Sequence, residues 1–283
     1  VADSYDIAYA HSATALTVQR RLKPKTVPSQ ELLVLADPIF NMADSRLRGM
    51  ALAKAAPSES QVKTMGGIAA TMGLAGRRRG TTEDKTIGRE DFLFPRLDKT
   101  GLLASVLHDK IFRRQPSEVL IGSTAAKSEL LSRDLSDYRY LVIATHGILD
   151  NMVPGLREPA LVLNQIGNAE GDNGLLTMSE VMRLRLNADV VALTACQTGM
   201  GRHLTGEGVM GLGRAFQYAG ARNVLVSLWN VSEGSTTMLA ERFFSHLKQG
   251  KTMRQALRLA REEVRRAGYE HPFYWAPFIL IGE

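Results

Sequence analysis

Cysteine is nearly absent from this chain: there is one, Cys196, in 283 residues. A single cysteine excludes an internal disulfide and any zinc site built on several thiolates. It fits a reducing, cytoplasmic setting. Aromatic residues are sparse at 6%, and none interleave with the basic clusters as a base-stacking nucleic-acid groove requires. No apolar run reaches the ~18 residues that a membrane span needs. The first residues lack the basic, apolar, small-residue order of a secretory signal. There is no initiator methionine, so the chain is expected to be a piece of a longer protein. His203, His246 and His271 have neither a histidine partner at helical spacing nor an acidic cluster, so no metal site and no cofactor are expected.

What is present is ordinary for a globular domain. Hydrophobic residues make up 45% of the chain and charged residues 23%, enough for one large domain or two small ones. The net charge is +6 and the isoelectric point about 9.5. Much of the excess lies in Arg77–Arg79 and around Arg254, Arg258, Arg261, Arg265 and Arg266. The second group fills one face of a helix whose other face carries Met253, Ala256, Leu257, Ala260 and Val264. Both read as solvated surface, so nucleic acid is at most an indirect partner.

Short β-branched runs at Glu31–Ala36, Tyr140–Ala144, Ala160–Leu163, Asp189–Ala195, Asn223–Leu228 and Phe278–Ile281 predict strands. Several lack polar alternation, as strands covered on both faces do. Helical patterns lie between them at Gly101–Phe112, Thr124–Ser132, Thr177–Leu184, Gly208–Ala219, Ser235–Lys248 and Thr252–Ala267. The alternation predicts an α/β/α sandwich around a mostly parallel central sheet. Met65–Glu90, rich in Gly, Thr and Arg, reads as a long surface loop, either an insertion or a segment open to self-cleavage.

Two strands end in chemistry. Tyr140–Ala144 runs into Thr145-His146-Gly147, and Asp189–Ala195 runs into Cys196-Gln197-Thr198-Gly199. In open parallel sheets, ligands bind beyond the carboxyl ends of the strands. If these strands are neighbours, an imidazole and a thiol face one cleft. A thiol with a pKa of ~8.5 is mostly protonated at neutral pH. A nearby imidazole can take that proton and later return it to a leaving amine. The backbone N–H groups of Gly147 and Cys196 are placed to stabilise a developing oxyanion. From these residues alone, a buried cysteine and an unrelated histidine fit equally well.

A longer ordered series carries more. Leu33-Val-Leu-Ala-Asp-Pro38, Ile121-Gly-Ser-Thr-Ala125, Tyr140-Leu-Val-Ile-Ala-Thr-His-Gly147 and Asn173-Gly-Leu-Leu-Thr177 come first. Leu193-Thr-Ala-Cys-Gln-Thr-Gly199, Gly206-Glu-Gly208, Ala219-Gly-Ala-Arg222, Ser227-Leu-Trp-Asn-Val231 and His271-Pro-Phe-Tyr-Trp-Ala-Pro-Phe278 follow. The series resembles the CHAT family, caspase-like peptidase domains often found after TPR repeats. The likeness covers nearly the whole chain and is strongest from about residue 120. It implies a caspase/separase-type sheet over residues 1–283, with an N-terminal subdomain to about 120 and a catalytic core beyond it. It also implies a His146–Cys196 dyad, an oxyanion hole that includes Gly147, a protein substrate, and a TPR region or regulatory protein that controls access.

Specificity is less defined. Family members with a Trp-x-Val-x-Asp run place its acid near the pocket for the residue before the cut. Here the run is Trp229-Asn-Val-Ser-Glu233, with Glu for Asp. Trp229, Glu233, Asp150 and Asp189 are therefore the candidate substrate-binding residues, and a carboxylate there would favour Arg or Lys. Alternatively, Glu233 only opens the next helix, where an acid suits the dipole. Gly206-Glu-Gly-Val-Met-Gly211 matches a dinucleotide fingerprint, but no strand runs straight into its first glycine. Those glycines are read as packing contacts. The resulting expectation is a cysteine endopeptidase of limited, signalling-type specificity. Its rival is a protein-interaction module that keeps the fold and leaves Cys196 unused.

Overall fold

The computed structural model describes residues 6–10, 12, 17, 26–47, 94–148, 156–194, 207–229 and 232–282. Cys196, Asp150, Arg77–Arg79 and the expected loop over Met65–Glu90 lie outside them.

Nine strands are described: β1 (Gln30–Pro38), β2 (Ser117–Gly122), β3 (Tyr138–Ala144), β4 (Gly147–Ile148), β5 (Ala160–Val162), β6 (Leu175–Thr177), β7 (Val190–Leu193), β8 (Asn223–Ser227) and β9 (Phe278–Gly282). Six of them form one sheet in the order β2-β1-β3-β7-β8-β9. All its pairings are parallel except β8 with β9. The helices are α1 (Asp98–Ser105), continued by a π-helical turn over Val106–Ile111, then α2 (Lys127–Leu131), α3 (Met178–Met182), α4 (Glu207–Tyr218), α5 (Glu233–Lys248) and α6 (Met253–Arg266).

Side chains alternate across the central strands, and both faces are dry. Leu33, Leu35, Leu141, Ile143, Val191, Leu193, Val224 and Val226 point to one side, against Leu130, Val181, Leu212 and Phe216 of α2, α3 and α4. Leu32, Val34, Tyr140, Val142, Val190, Ala192 and Leu225 point to the other, against Leu103, Phe243, Phe244, Leu257 and Val264 of α1, α5 and α6. A strand with two buried faces must be apolar at every position, and this explains the unbroken runs in the sequence. The mostly parallel α/β/α sandwich expected from the sequence is the architecture observed.

The helices take their ends from local chemistry. The Thr252 hydroxyl accepts the Gln255 N–H while the Gln255 side chain accepts the Thr252 N–H, a capping box that starts α6. Thr177 and Glu180 do the same for α3. Gly213 packs α4 onto the sheet: a Cβ there would stand 2.9 Å from Ile281 Cδ1, too close to fit without a shift.

The sequence reading missed β2. It is an edge strand and carries Glu118 and a half-exposed face, so it lacks the apolar run of its neighbours. β2 straddles residue 120, and β1 lies between β2 and β3. Residues on either side of position 120 therefore share one sheet.

Candidate active site

A second, three-stranded sheet of order β4-β5-β6 extends from the carboxyl end of β3. The chain bends at Thr145 and leaves the central sheet, and two hydrogen bonds tie that bend to β5. The Thr145 hydroxyl donates to the Val162 carbonyl, and the Val162 N–H donates to the His146 carbonyl at 2.8 Å. Both bonds fix the backbone on either side of the His146 side chain. They also set the register that pairs Gly147 with Leu161. With Val162 N–H bound to the carbonyl before Gly147, the Gly147–Leu161 pair is a non-hydrogen-bonded one. The Gly147 N–H therefore points away from β5.

His146 is 1% exposed. Its ring sits between two phenylalanines, with centroids 4.8 Å from Phe40 and 5.1 Å from Phe94. Its Nε2 lies 2.8 Å from the Pro95 carbonyl oxygen. A carbonyl only accepts, so Nε2 carries the hydrogen and, in the neutral ring, Nδ1 keeps the lone pair. Burial pushes the His146 pKa down to about 4, and the Pro95 carbonyl opposes that shift. At neutral pH the ring is uncharged and basic at Nδ1.

β3 and β7 are parallel neighbours, with Ile143 beside Leu193. The Thr194 N–H continues that pairing onto the Ile143 carbonyl at 3.2 Å. Thr194 is the last described residue of this segment, and Cys196 follows it two places later in the sequence.

The acidic candidates separate. Asp189 requires a correction. It precedes the first residue of β7, at the amino end of the sheet, and its carboxylate pairs with Arg139 at 2.6 Å and with Arg222. Arg139 stands seven residues before His146 on the same extended segment, roughly 20 Å away at ~3.3 Å per residue. Asp189 is thus a structural acid on the opposite edge. Asp150 lies outside the described residues.

Glu233 and Trp229 do follow β8 at its carboxyl end, but each is engaged elsewhere. Glu233 Oε1 accepts the Lys99 N–H at 2.8 Å, at the first turn of α1. Burial raises the Glu233 carboxyl pKa, against the backbone N–H groups of Lys99 and Thr100. Trp229 Nε1 donates to the Phe273 carbonyl at 3.1 Å. His271 accepts the Phe273 N–H through Nδ1. Among the described residues no group of three His, Cys, Asp or Glu gathers where a metal ion would sit.

Sequence reasoning missed the residues that surround His146. Phe40 and Phe94 carry no motif, and the partner at Pro95 is a backbone carbonyl, which leaves no trace in residue type.

A CHAT domain family model matches residues 1–283. The chain belongs to the CHAT domain family. Curated relatives include tetratricopeptide repeat protein 28 of Mus musculus, 38% identical over 109 residues, and its namesake of Homo sapiens, 39% identical over 109 residues. Each alignment covers 38% of this CHAT chain, which spans 4% of the relative's length. Among solved structures, the Arg-specific cysteine proteinase gingipain R aligns over 97% of this chain and 52% of its own, at a TM-score of 0.49 and 8% identity. No described helix of this CHAT domain is long and apolar enough to cross a membrane.

Proposed function

We propose that the chain is a cysteine endopeptidase domain in which His146 is the general base and Cys196 the nucleophile. The observation that carries this reading is the state of His146. It is a neutral imidazole at the carboxyl end of a parallel strand, tied by Nε2 to a carbonyl, which makes Nδ1 the basic nitrogen of the ring. The register of β3 with β7 supports the partner. Three residues on from Ile143 is His146, and three on from its neighbour Leu193 is Cys196.

In the reaction, Nδ1 takes the Cys196 Sγ proton as the sulfur attacks the scissile carbonyl carbon. The oxyanion forms against the N–H groups of Gly147 and Cys196. Collapse of this intermediate breaks the C–N bond, and the imidazolium returns its proton to the leaving amine. Water, deprotonated by the same Nδ1, then hydrolyses the thioester and frees the thiol. The Pro95 carbonyl keeps Nε2–H in place throughout and stabilises the imidazolium of each intermediate.

A cut after Arg or Lys belongs to the same reading only if Glu233 leaves its helix cap to meet a cation. A tetratricopeptide-repeat region or another regulatory protein would govern access to the cleft, within the cytoplasm. That partner is suggested by the names of the relatives.

The second reading, an interaction module with an idle thiol, is favoured by one observation: His146 is almost wholly buried. Cleavage of a mixed fluorogenic peptide library by wild type, Cys196→Ala and His146→Ala separates the two. The peptidase predicts turnover that falls at least a hundredfold in both variants. Turnover that survives Cys196→Ala overturns it. A wild-type protein without turnover, whose thiol alkylates at the same rate with and without His146, supports the interaction module. Glu233→Gln in the same assay tests specificity, since weakened cutting after Arg or Lys would return that acid to the pocket.

A further inference from the structure

The segment that holds His146 is itself held. Residues 94–97 belong to no helix or strand, so no ladder fixes the Pro95 carbonyl. The neighbouring residue does so instead. Arg96 grips the Asp37 carboxylate, with Nε 3.0 and 3.2 Å from its two oxygens and Nη2 2.7 Å from Oδ2. Asp37 is the penultimate residue of β1, immediately after Ala36, which pairs with Ala144 of β3, two residues short of His146. The carboxyl end of the sheet therefore carries both His146 and the anchor of the residue that faces it.

The anchor is built with unusual care. Asp37 is 1% exposed and has a left-handed backbone at φ 44°, a conformation rare for a non-glycine residue and kept only where its surroundings enforce it. Its N–H donates to Thr100 Oγ1 at 3.0 Å, and that hydroxyl donates to the Leu97 carbonyl at 2.6 Å. Arg46 adds a second guanidinium, 3.0 Å from Asp37 Oδ2 and 2.9 Å from the Asp37 carbonyl, while pairing with Asp44. Asn41 takes the Phe94 carbonyl at 3.3 Å. The catalytic reading of His146 uses none of these groups.

We propose that Arg96, clamped by Asp37, is a positioning residue that fixes the Pro95 carbonyl and thereby the Nε2–H tautomer of His146. The proposal rests on the reading of His146 as the base, and it is tested by a measurement that does not need turnover. Without the clamp the Pro95 carbonyl drifts, Nε2 loses its acceptor, and the hydrogen redistributes between the two ring nitrogens. A ring protonated on Nδ1 cannot take a proton from a thiol there.

Arg96 is the position to change because its side chain is 43% exposed. Arg46 remains to pair Asp37, so its removal does not orphan the buried charge. The experiment is 15N NMR of histidine-labelled wild type, Arg96→Gln and Arg96→Lys at pH 7 and through an acid titration. The His146 signal is identified by its loss in His146→Phe. The ring is packed by Phe40, Phe94 and the Pro95 carbonyl, so water admitted by a loosened strap registers directly.

Wild type is expected to show one neutral tautomer, with the hydrogen on Nε2. Arg96→Gln is expected to show a tautomer mixture and a midpoint moved up toward the ordinary histidine range of ~6.5. Arg96→Lys, which keeps the charge but not the two-point grip, should fall between. In an active protein, kcat drops about tenfold in Arg96→Gln at unchanged KM. A folded Arg96→Gln with the wild-type tautomer and midpoint overturns the proposal. Should Arg96→Gln not fold, the same criterion applies to Arg96→Lys. A changed tautomer beside turnover that ignores Cys196→Ala would sink the peptidase and leave the clamp standing.

Discussion

His146 is neutral because it is dry, and that has a cost for the fold. Its folded midpoint, near 4, lies below the ~6.5 of an unfolded histidine. Between those values the unfolded chain binds more protons, so stability is full above the upper value and is lost as pH falls through the window. The linkage amounts to about 2 kcal/mol by pH 5. Urea unfolding at pH 7 and pH 5 should show that loss in wild type and a smaller one in His146→Phe, whose ring takes no proton. Equal losses in the two proteins would mean that the buried imidazole is protonated in the fold. The same low midpoint keeps the imidazole unprotonated at neutral pH, and it also makes it a weaker base than an ordinary histidine. A residue poised for proton transfer and a residue that weakens the protein in acid are here the same side chain.

At the scale of elements, the junction of α1 with α5 is informative. Glu233 is the first residue of α5, yet its carboxylate serves the first turn of α1. α1 has no side-chain cap of its own at Leu97, so the acid from the other helix satisfies an otherwise orphaned N–H. Glu233→Ala should cost about 1 kcal/mol in chemical denaturation, and Glu233→Gln less, since an amide oxygen still accepts. Equal stability for all three proteins would leave the acid free for a substrate.

The sequence signalled only part of this arrangement. Tyr140–Ala144 and Asn223–Leu228 were readable as strands because both faces of each are buried and each holds an unbroken apolar run, Leu141–Ala144 and Val224–Val226. β4 and β6 were not, because two or three residues cannot establish a period, and unlike the three-residue β5 neither sits in a run of four apolar residues. Asp189 looked like an acid of the cleft because it adjoins the strand that leads to Cys196. A residue that begins a parallel strand, however, stands at the edge opposite the ligand-binding one. His146 could be named from its place after a strand. The groups that give it its character could not, because a backbone carbonyl and two ring contacts arise from tertiary approach alone.

For the whole molecule, the sheet order grades stability. β1, β3, β7 and β8 have a neighbour on both sides, whereas β2 is an edge. Hydrogen exchange should find the central amides opening only with global unfolding and those of β2 earlier. Uniform protection across the sheet would contradict that ranking. The site belongs to this centre: β3 leads into His146, and β1 carries the Asp37 that anchors Arg96. What surrounds the ring, in contrast, is irregular chain pinned by side chains. The scaffold and the strap that closes on it thus differ in how they are held, and a change in either reaches the imidazole.

The other edge, β9, is bridged at one point by Tyr9. The Tyr9 N–H donates to the Leu280 carbonyl at 2.7 Å, and the Gly282 N–H donates to the Tyr9 carbonyl at 2.8 Å. Residues 273 positions apart in the chain therefore meet at one corner. Tyr9 is in effect a one-residue extension of that edge, so a displacement at Tyr9 or Gly282 would bear on β9 and, through its pairing with β8, on the end of the sheet where Trp229 and Glu233 stand.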